Sequence, residues 1–226
     1  MSMNTNTNKY FLKMKFFYEN LFYQFCTTDR LSKLIAQLKI FEIIKDVNGD
    51  IVEFGVFKGN SLSRLIIFRD IFSRKKYVYA FDQFGEFKVP KSILHVDKKK
   101  LRLFLKEAGK KSVSLNFFKN NLMKRNLDRK VKLIKGDIFF TLNKFLKKNK
   151  KIKFSFVNLD VDLFHITHFI LKKIWSKVTK GGIVLFDDYK SFPGATKAIN
   201  IFLKENKNAK FIKVKYSRDF YYCIKV

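Results

Sequence analysis

Four aspartates at the ends of two apolar segments are the residues whose type and spacing best suit chemistry. Asp160 and Asp162 follow one such segment, and Asp187 and Asp188 follow the next one along the chain. Carboxylates gathered in one place repel one another unless a cation neutralises them, and oxygen-only ligation favours a hard divalent ion such as Mg²⁺, Mn²⁺ or Ca²⁺. The four aspartates therefore predict a metal site, provided that the fold brings the two pairs together.

The segments before these aspartates, 154–159 and 181–186, predict neighbouring strands of a parallel sheet. Both are apolar runs rich in β-branched and aromatic residues, which is typical of strands buried on both faces. The residues between them, Leu163 to Lys180, suffice for one crossover helix, and parallel strands joined in this way usually lie near each other. Ligands of open α/β sheets bind at the carboxyl ends of the strands, so the aspartates are expected at that edge.

An alternative interpretation gives these aspartates purely structural roles. Asp187 and Asp188 would cap the following turn and helix, and Asp160 and Asp162 would be solvated loop residues, because aspartates are common in caps and turns. Two acidic pairs at two strand ends are less expected by chance in a chain with 19 Asp and Glu against 48 Lys and Arg. The scarcity of acids favours the metal site.

A glycine turn after the first predicted strand indicates a second part of a binding site. Glu53 lies in the strand 51–54, Gly55 and Gly59 follow it, and Ser61 begins the next predicted helix. Such a turn lets backbone N–H groups approach a ligand and aims a helix N-terminus at negative charge. The spacing is not the GxGxxG of nicotinamide-binding proteins, and glycines also occur in ordinary turns between strand and helix, so this signal is weak by itself.

Two further predicted strands also lead to acids. The strand 77–81 precedes Asp82, and the strand 131–134 leads through Gly136 to Asp137. A carboxylate at the end of the second strand, about 20 residues or more beyond a glycine turn, is where Rossmann-like folds hold ribose hydroxyls. Asp82 is therefore a candidate for binding a nucleoside.

The order of these elements predicts an α/β fold. Strands alternate with helices and are followed by two closing strands, which implies a mostly parallel sheet with one antiparallel edge strand. Two helices precede the first strand, so residues 1–48 are predicted to be an N-terminal helical extension that is a lid, an oligomer contact or a layer on the sheet. Residues 49–226 form the main domain, since 226 residues suffice for one domain with an appendage.

The net charge of +29 raises the alternative of a nucleic-acid partner. Most of the excess lies between Lys88 and Lys153, but it consists mainly of scattered lysines, and the abundance of Phe, Lys, Asn and Ile resembles the product of an AT-rich genome. Nucleic acid is therefore not the expected partner. No apolar run approaches the ~18 residues of a membrane span, and the polar start of the chain favours the cytoplasm.

Taken together, these stretches resemble the macrocin O-methyltransferase type of metal-dependent O-methyltransferase, within the class I S-adenosylmethionine fold. The resemblance covers about residues 50–196, and the matching stretches occur in the same order as in the family. The matching stretches are 52–56 with Gly59, 80–84, 135–137, 159–164 with Thr167, and 181–194. It implies a Rossmann-like fold with a seven-stranded sheet and the cofactor S-adenosyl-L-methionine.

The resemblance also implies roles for individual residues. Glu53, Gly55 and Gly59, with Ser61 beside them, would surround the amino-acid end of the cofactor. Asp82 would bind its ribose and Asp137 its adenine amino group. The ligands of Mg²⁺ or another hard divalent cation would be Asp160, Asp187 and Asp188, with Asp162 just outside them.

The expected reaction is transfer of a methyl group to a hydroxyl of a small acceptor, with a sugar of a glycoside, nucleotide sugar or polysaccharide as the first expectation. A divalent cation lowers the pKa of a bound hydroxyl, and Asp160 or His165 takes the proton. Relatives that act on sugars often have Tyr, Glu and Ser where this chain has Phe164, His165 and Ile166, which affects the choice of acceptor. RNA methylation and a non-catalytic relative are the alternatives, and a homo-oligomer through the N-terminal helices is expected.

Overall fold

The computed structural model describes residues 5–87, 93–215, 217 and 220–226, with side chains described from residue 14 onward. Helices and strands alternate through most of this range. The helices are α1 (Thr5–Phe25), α2 (Thr28–Ile44), α3 (Asn60–Phe72), α4 (His95–Ala108), α5 (Leu115–Lys124), α6 (Ile138–Lys148), α7 (Phe164–Ile174) and α8 (Pro193–Glu205). The strands are β1 (Asp50–Phe54), β2 (Val78–Asp82), β3 (Val131–Lys135), β4 (Phe154–Leu159), β5 (Val178–Phe186), β6 (Ala209–Lys213) and β7 (Tyr221–Lys225).

The seven strands form one sheet in the order β3-β2-β1-β4-β5-β7-β6. The first five are parallel, and β7 runs antiparallel to both of its neighbours, β5 and β6, so antiparallel pairing is confined to one end of the sheet. The chain moves outward from β1 through β2 to β3 and then returns to β4 on the other side of β1. The crevice between β1 and β4 is thus the switch point at which ligands of such sheets bind. The predicted fold class is confirmed.

Helices cover both faces of the sheet, as continuous apolar strands require. On one face α2, α3 and α5 enclose a core around Ile40, Phe41 and Phe156. On the other face α6, α7 and α8 enclose a core around Phe54, Ile170 and Phe186. Every residue of β4 is buried, including the polar Ser155 and Asn158, as is typical of a strand covered on both faces.

The two N-terminal helices differ in their packing. Helix α2 lies against the sheet and buries Ala36, Ile40, Phe41 and Ile44 completely. Helix α1 has apolar side chains that remain exposed over the part with described side chains. These exposed residues are Phe16, Phe17, Tyr18, Leu21, Phe22, Tyr23 and Phe25. Among the described helices, none is long and apolar enough to cross a membrane.

Candidate active site

The aspartates after β4 and β5 converge at the carboxyl edge of the sheet. Leu159 and Phe186 are register partners at the ends of these strands, so the next residues, Asp160 and Asp187, lie side by side. Asp188 follows, and one carboxylate oxygen from each of the three lies within 4.8 Å of the others. In the described part of the chain, this is the one group of His, Cys, Asp and Glu side chains that is close enough to hold an ion.

Asp162 lies beside this group and shapes it through its backbone. The backbone N–H groups of Val161 and Asp162 donate to Oδ2 of Asp188 at 3.1 and 2.8 Å. This arrangement requires the left-handed conformation at Asp162, with φ of +61°, which Asp tolerates better than most residues. Asp188 is therefore held in a fixed orientation.

Burial and mutual repulsion make these carboxyl groups hold protons strongly. Burial, with Asp187 and Asp188 next in importance, raises the pKa of Asp160 well above its usual range. Burial and the Asp162 carboxylate do the same for the pKa of Asp188. The pKa of Asp162 rises to about 7, mainly through burial and then through Asp160. A divalent cation would relieve this repulsion, and the all-oxygen donor set fits a hard ion.

Lys33 of α2 reaches the same acids from the opposite wall. Its Nζ lies 2.6 Å from Oδ2 of Asp187. Burial alone would lower the pKa of Lys33, but the carboxylates of Asp187, Asp160 and Asp188 together raise the pKa above its ordinary value. Sequence reasoning did not identify this lysine.

The glycine turn brings the end of β1 against the end of β4. Gly55 has φ of +88°, and a Cβ there would lie 1.7 Å from the backbone oxygen of Asp160. Gly59 precedes α3 with φ of +83°, and its Cβ would lie 2.3 Å from the ring of Phe118. Both positions require glycine, because a side chain would meet a neighbour in addition to the strained backbone. The turn and the backbone of Asp160 are thus in direct contact.

Asp82 holds this turn in place from the end of β2. Its Oδ2 accepts hydrogen bonds from the backbone N–H groups of Val56 at 2.8 Å and Phe57 at 3.1 Å. Its Oδ1 accepts from the Phe84 N–H at 2.6 Å and the Ser112 hydroxyl at 2.7 Å. One carboxylate therefore ties together three loops that surround the crevice.

Glu53 is completely buried behind the glycine turn. Its Oε1 accepts a hydrogen bond from Nδ2 of Asn158 at 2.9 Å, while Oε2 has no hydrogen-bond partner. Burial raises the pKa of Glu53 to about 8, and the nearby side chains of Ser61 and Asn158 oppose this effect. Ser61 in turn accepts from Nε2 of Gln37 in α2 at 2.6 Å. Helix α2 is thereby linked to Ser61, beneath the glycine turn.

A cavity of about 430 Å³ joins the glycine turn to the acids. Its wall includes Gly55, Asp82 and Gly136 on one side and the four aspartates with Lys33 and Arg30 on the other. A wall that contains glycines, next to a strand-end carboxylate, is suited to a nucleoside cofactor that approaches the backbone closely.

Other predicted cofactor residues lie outside this wall. Glu53, Gly59 and Ser61 do not line the cavity. Asp137 is exposed and caps α6 by accepting from the Phe139 N–H at 2.8 Å. Gly136, the neighbour of Asp137, does reach the cavity.

His165 lies in the first turn of α7 with its side chain exposed. It lines a neighbouring cavity of about 410 Å³ together with Phe139, Phe164 and Ile166. The Ile166 side chain borders both cavities, so the two are adjacent. The structure does not bring His165 into the group formed by the three aspartates.

Fold and site together define a class I S-adenosylmethionine-dependent methyltransferase, and the resemblance noted in the sequence is confirmed by comparison. The model of the macrocin O-methyltransferase family matches residues 20–221, so the chain belongs to that family and is an O-methyltransferase. No curated protein sequence matches the chain.

Several solved structures share the fold. The calicheamicin methyltransferase CalS11 is 20% identical to this chain with a TM-score of 0.70, and the match covers 99% of this chain and 94% of the CalS11 chain. The O-methyltransferase NovP has 24% identity and a TM-score of 0.68, covering 85% of this chain and 80% of its own. An O-methyltransferase from Bacillus cereus, solved in complex with SAH, has 14% identity and a TM-score of 0.56, covering 100% of this chain and 92% of its own.

Proposed function

We propose that this O-methyltransferase depends on a divalent cation and methylates a sugar hydroxyl of a small acceptor. The observation that carries the proposal is the group of three aspartates, whose oxygens lie within 4.8 Å of one another beside the cavity that contains the glycine turn. Three close carboxylates in a partly buried site need a counter-charge, and oxygen-only ligands suit Mg²⁺ or a similar ion.

The cofactor, S-adenosyl-L-methionine, would supply a methyl group on a sulfonium. We infer that Gly55 and Asp82 contact it directly, since both line the cavity. Glu53, Gly59 and Ser61 would then support the turn around its amino-acid end from behind the wall. For Asp137 the proposed contact is with adenine, beside Gly136.

The cation, held by Asp160, Asp187 and Asp188, would lower the pKa of an acceptor hydroxyl. The surrounding backbone holds two of these ligands in place: Asp188 accepts from two backbone N–H groups, and the backbone oxygen of Asp160 lies against Gly55. Asp160 is the proposed proton acceptor because, of the three aspartates, it is the one next to the glycine turn. His165 remains a second candidate, from the adjacent cavity, for a larger acceptor.

Two observations support a sugar acceptor. The family is named for macrocin O-methylation, and one of the similar structures is described as a TDP-rhamnose 3'-O-methyltransferase. The second cavity beside Ile166 offers aromatic and apolar walls for the part of the acceptor away from the reacting hydroxyl. The proposed place of action is the cytoplasm.

The proposal is tested by methyl transfer from S-adenosyl-L-methionine to a panel of glycosides and nucleotide sugars, including TDP-rhamnose. Transfer is expected to stop with EDTA and to return with added Mg²⁺ or Mn²⁺. Transfer that persists in EDTA after extensive dialysis would refute the metal dependence. A product methylated on nitrogen or carbon, or on RNA alone, would refute the acceptor class.

We also propose that a second copy of this chain covers α1. Its aromatic side chains are exposed on several sides of the helix, with Phe16 61% and Phe25 75% exposed. Apolar surfaces of this kind mark contact sites. Two copies that exchange the same helix surface would cover it in a symmetric, self-complementary interface.

A further inference from the structure

Lys33 occupies a place that neither the family motifs nor the strand-end pattern assigns. It belongs to α2, more than 150 positions before its partner Asp187, and it lies on the opposite side of the cavity from the strand ends. The side chains of Lys33 and Asp187 are 28% and 12% exposed. The pair is therefore partly withdrawn from water, unlike an ordinary surface ion pair, which contributes little.

The position of Lys33 is fixed by the packing of α2. One turn further along, Gln37 is buried, donates to the Ser61 hydroxyl at 2.6 Å and accepts from Nε of Arg64 at 2.8 Å. The ammonium also lies 5.5 Å from the centre of the Phe220 ring, which is itself buried. The backbone of Lys33 is therefore held where its side chain reaches the acids.

The charges around Lys33 explain why it is needed. Asp187, Asp160 and Asp188 all act on its ammonium, in that order of strength. Three carboxylates this close together would otherwise repel one another, and a divalent ion alone does not neutralise three negative charges. Lys33 supplies the remaining positive charge from a different part of the chain.

We propose that Lys33 is a positioning residue of the cation site, which holds Asp187 in place and reduces the affinity of the three aspartates for a divalent ion. This inference rests on the proposed divalent cation. An ammonium a few ångströms from a divalent ion repels it, whether or not it keeps its contact with Asp187. The N-terminal helix α2 is then part of the active site and sets how tightly the ion is held.

The test is calorimetric titration of the full-length protein with Mn²⁺, without cofactor or acceptor. Lys33→Gln is expected to bind Mn²⁺ about tenfold more tightly than the original chain, and the gain should shrink as NaCl is raised, because salt screens the repulsion. Lys33→Arg keeps the charge and should retain the original affinity. Lys39→Gln, on the same helix but outside the cavity wall, is the matched control and should also leave the affinity unchanged.

A second readout separates this role from a merely structural one. Without Mn²⁺, Lys33→Gln should melt at a lower temperature than the original chain, since the acids lose their counter-charge. Saturating Mn²⁺ should raise its melting temperature by more than it raises that of the original chain, because tighter binding stabilises more. A merely structural lysine would lower the melting temperature and leave or weaken the affinity.

Two results would overturn the inference, and they can be told apart. If the original chain binds Mn²⁺ and Lys33→Gln binds it equally or more weakly, the role of Lys33 is wrong while the proposed cation site stands. If neither protein binds Mn²⁺, the cation site and the proposed metal dependence fail together.

Discussion

Replacing Gly55 by alanine tests whether the contact between the glycine turn and the end of β4 shapes the site. At Gly55 the backbone has φ of +88°, and the added Cβ would lie 1.7 Å from the backbone oxygen of Asp160. The left-handed conformation costs a residue with a side chain about 1–2 kcal/mol. Overpacking adds about 1–3 kcal/mol, towards the upper end here because a backbone oxygen cannot rotate away.

Gly109 provides a control for a positive φ without a clash. It has φ of +83° and ψ of 167°, and a Cβ there would have no neighbour within 4 Å. Gly109→Ala is expected to lose about 1–3 kcal/mol of unfolding free energy through its backbone conformation alone. Gly55→Ala is expected to lose about 3 kcal/mol more, because it adds the clash with the backbone oxygen of Asp160.

Urea unfolding followed by circular dichroism measures both values, and equal slopes against urea would show that the comparison is valid. Gly55→Ala should also bind Mn²⁺ more weakly, because relief of the clash moves Asp160 away from Asp187 and Asp188. Gly109→Ala should bind it normally. The reasoning is refuted if the two variants are destabilised to within about 1 kcal/mol of each other.

Three further predictions concern the acids and α1. Asp187→Asn and Asp188→Asn should each weaken Mn²⁺ binding at least about tenfold in calorimetry, because each removes a charged ligand oxygen. Unchanged binding in both would contradict the ligand assignment. Folding raises the pKa of Glu53 to about 8, so its contribution to stability is full below the unfolded pKa near 4.5 and is lost as the pH rises to 8. Between pH 5 and pH 9 the original chain should lose up to roughly 4 kcal/mol more unfolding free energy than Glu53→Gln, as measured by urea titration at both pH values. An equally steep loss in the variant would show that the raised pKa does not belong to Glu53. Phe17→Ser combined with Phe22→Ser should reduce the mass found by light scattering to that of one chain. The melting temperature should change little, since both rings are exposed in the single chain. An unchanged mass would show that α1 is not the contact between copies.

The strand-end acids could be predicted from the sequence because their signal is local. A continuous apolar run followed by a carboxylate fixes both the buried strand and the end at which the acid emerges, so the convergence of Asp160, Asp187 and Asp188 followed once β4 and β5 were taken as neighbours. The sequence signal of the glycine turn was equally local. Its contact with Asp160 could not be seen, because it depends on which strands are adjacent.

Residues that act across the fold were missed or only partly described. Lys33 and Gln37 lie on one side of α2, but the sequence does not state which face of this helix meets the sheet. The available signal was Gln37, a polar residue one turn after Lys33 that lies between the apolar residues Ala36 and Ile40. For Asp82, its position at a strand end indicated a nucleoside ligand. Its hydrogen bonds to the glycine turn could not be predicted, because they join residues 25 and 26 positions apart. For His165, closeness in sequence to the acids did not reveal that α7 turns its side chain towards a separate cavity.

The contrast between the two N-terminal helices bears on how such proteins diverge and how they can be shortened. A chain cut near Cys26 would lose α1 and its exposed rings while keeping every residue of the two cores. A chain cut after Ile44 would lose Phe41 and Ile40 from one core and, with Lys33 and Gln37, the contacts that join α2 to Asp187 and to Ser61. We therefore expect α1 to be conserved only as far as the contact between copies requires, and α2 to be inherited with the catalytic domain as one unit.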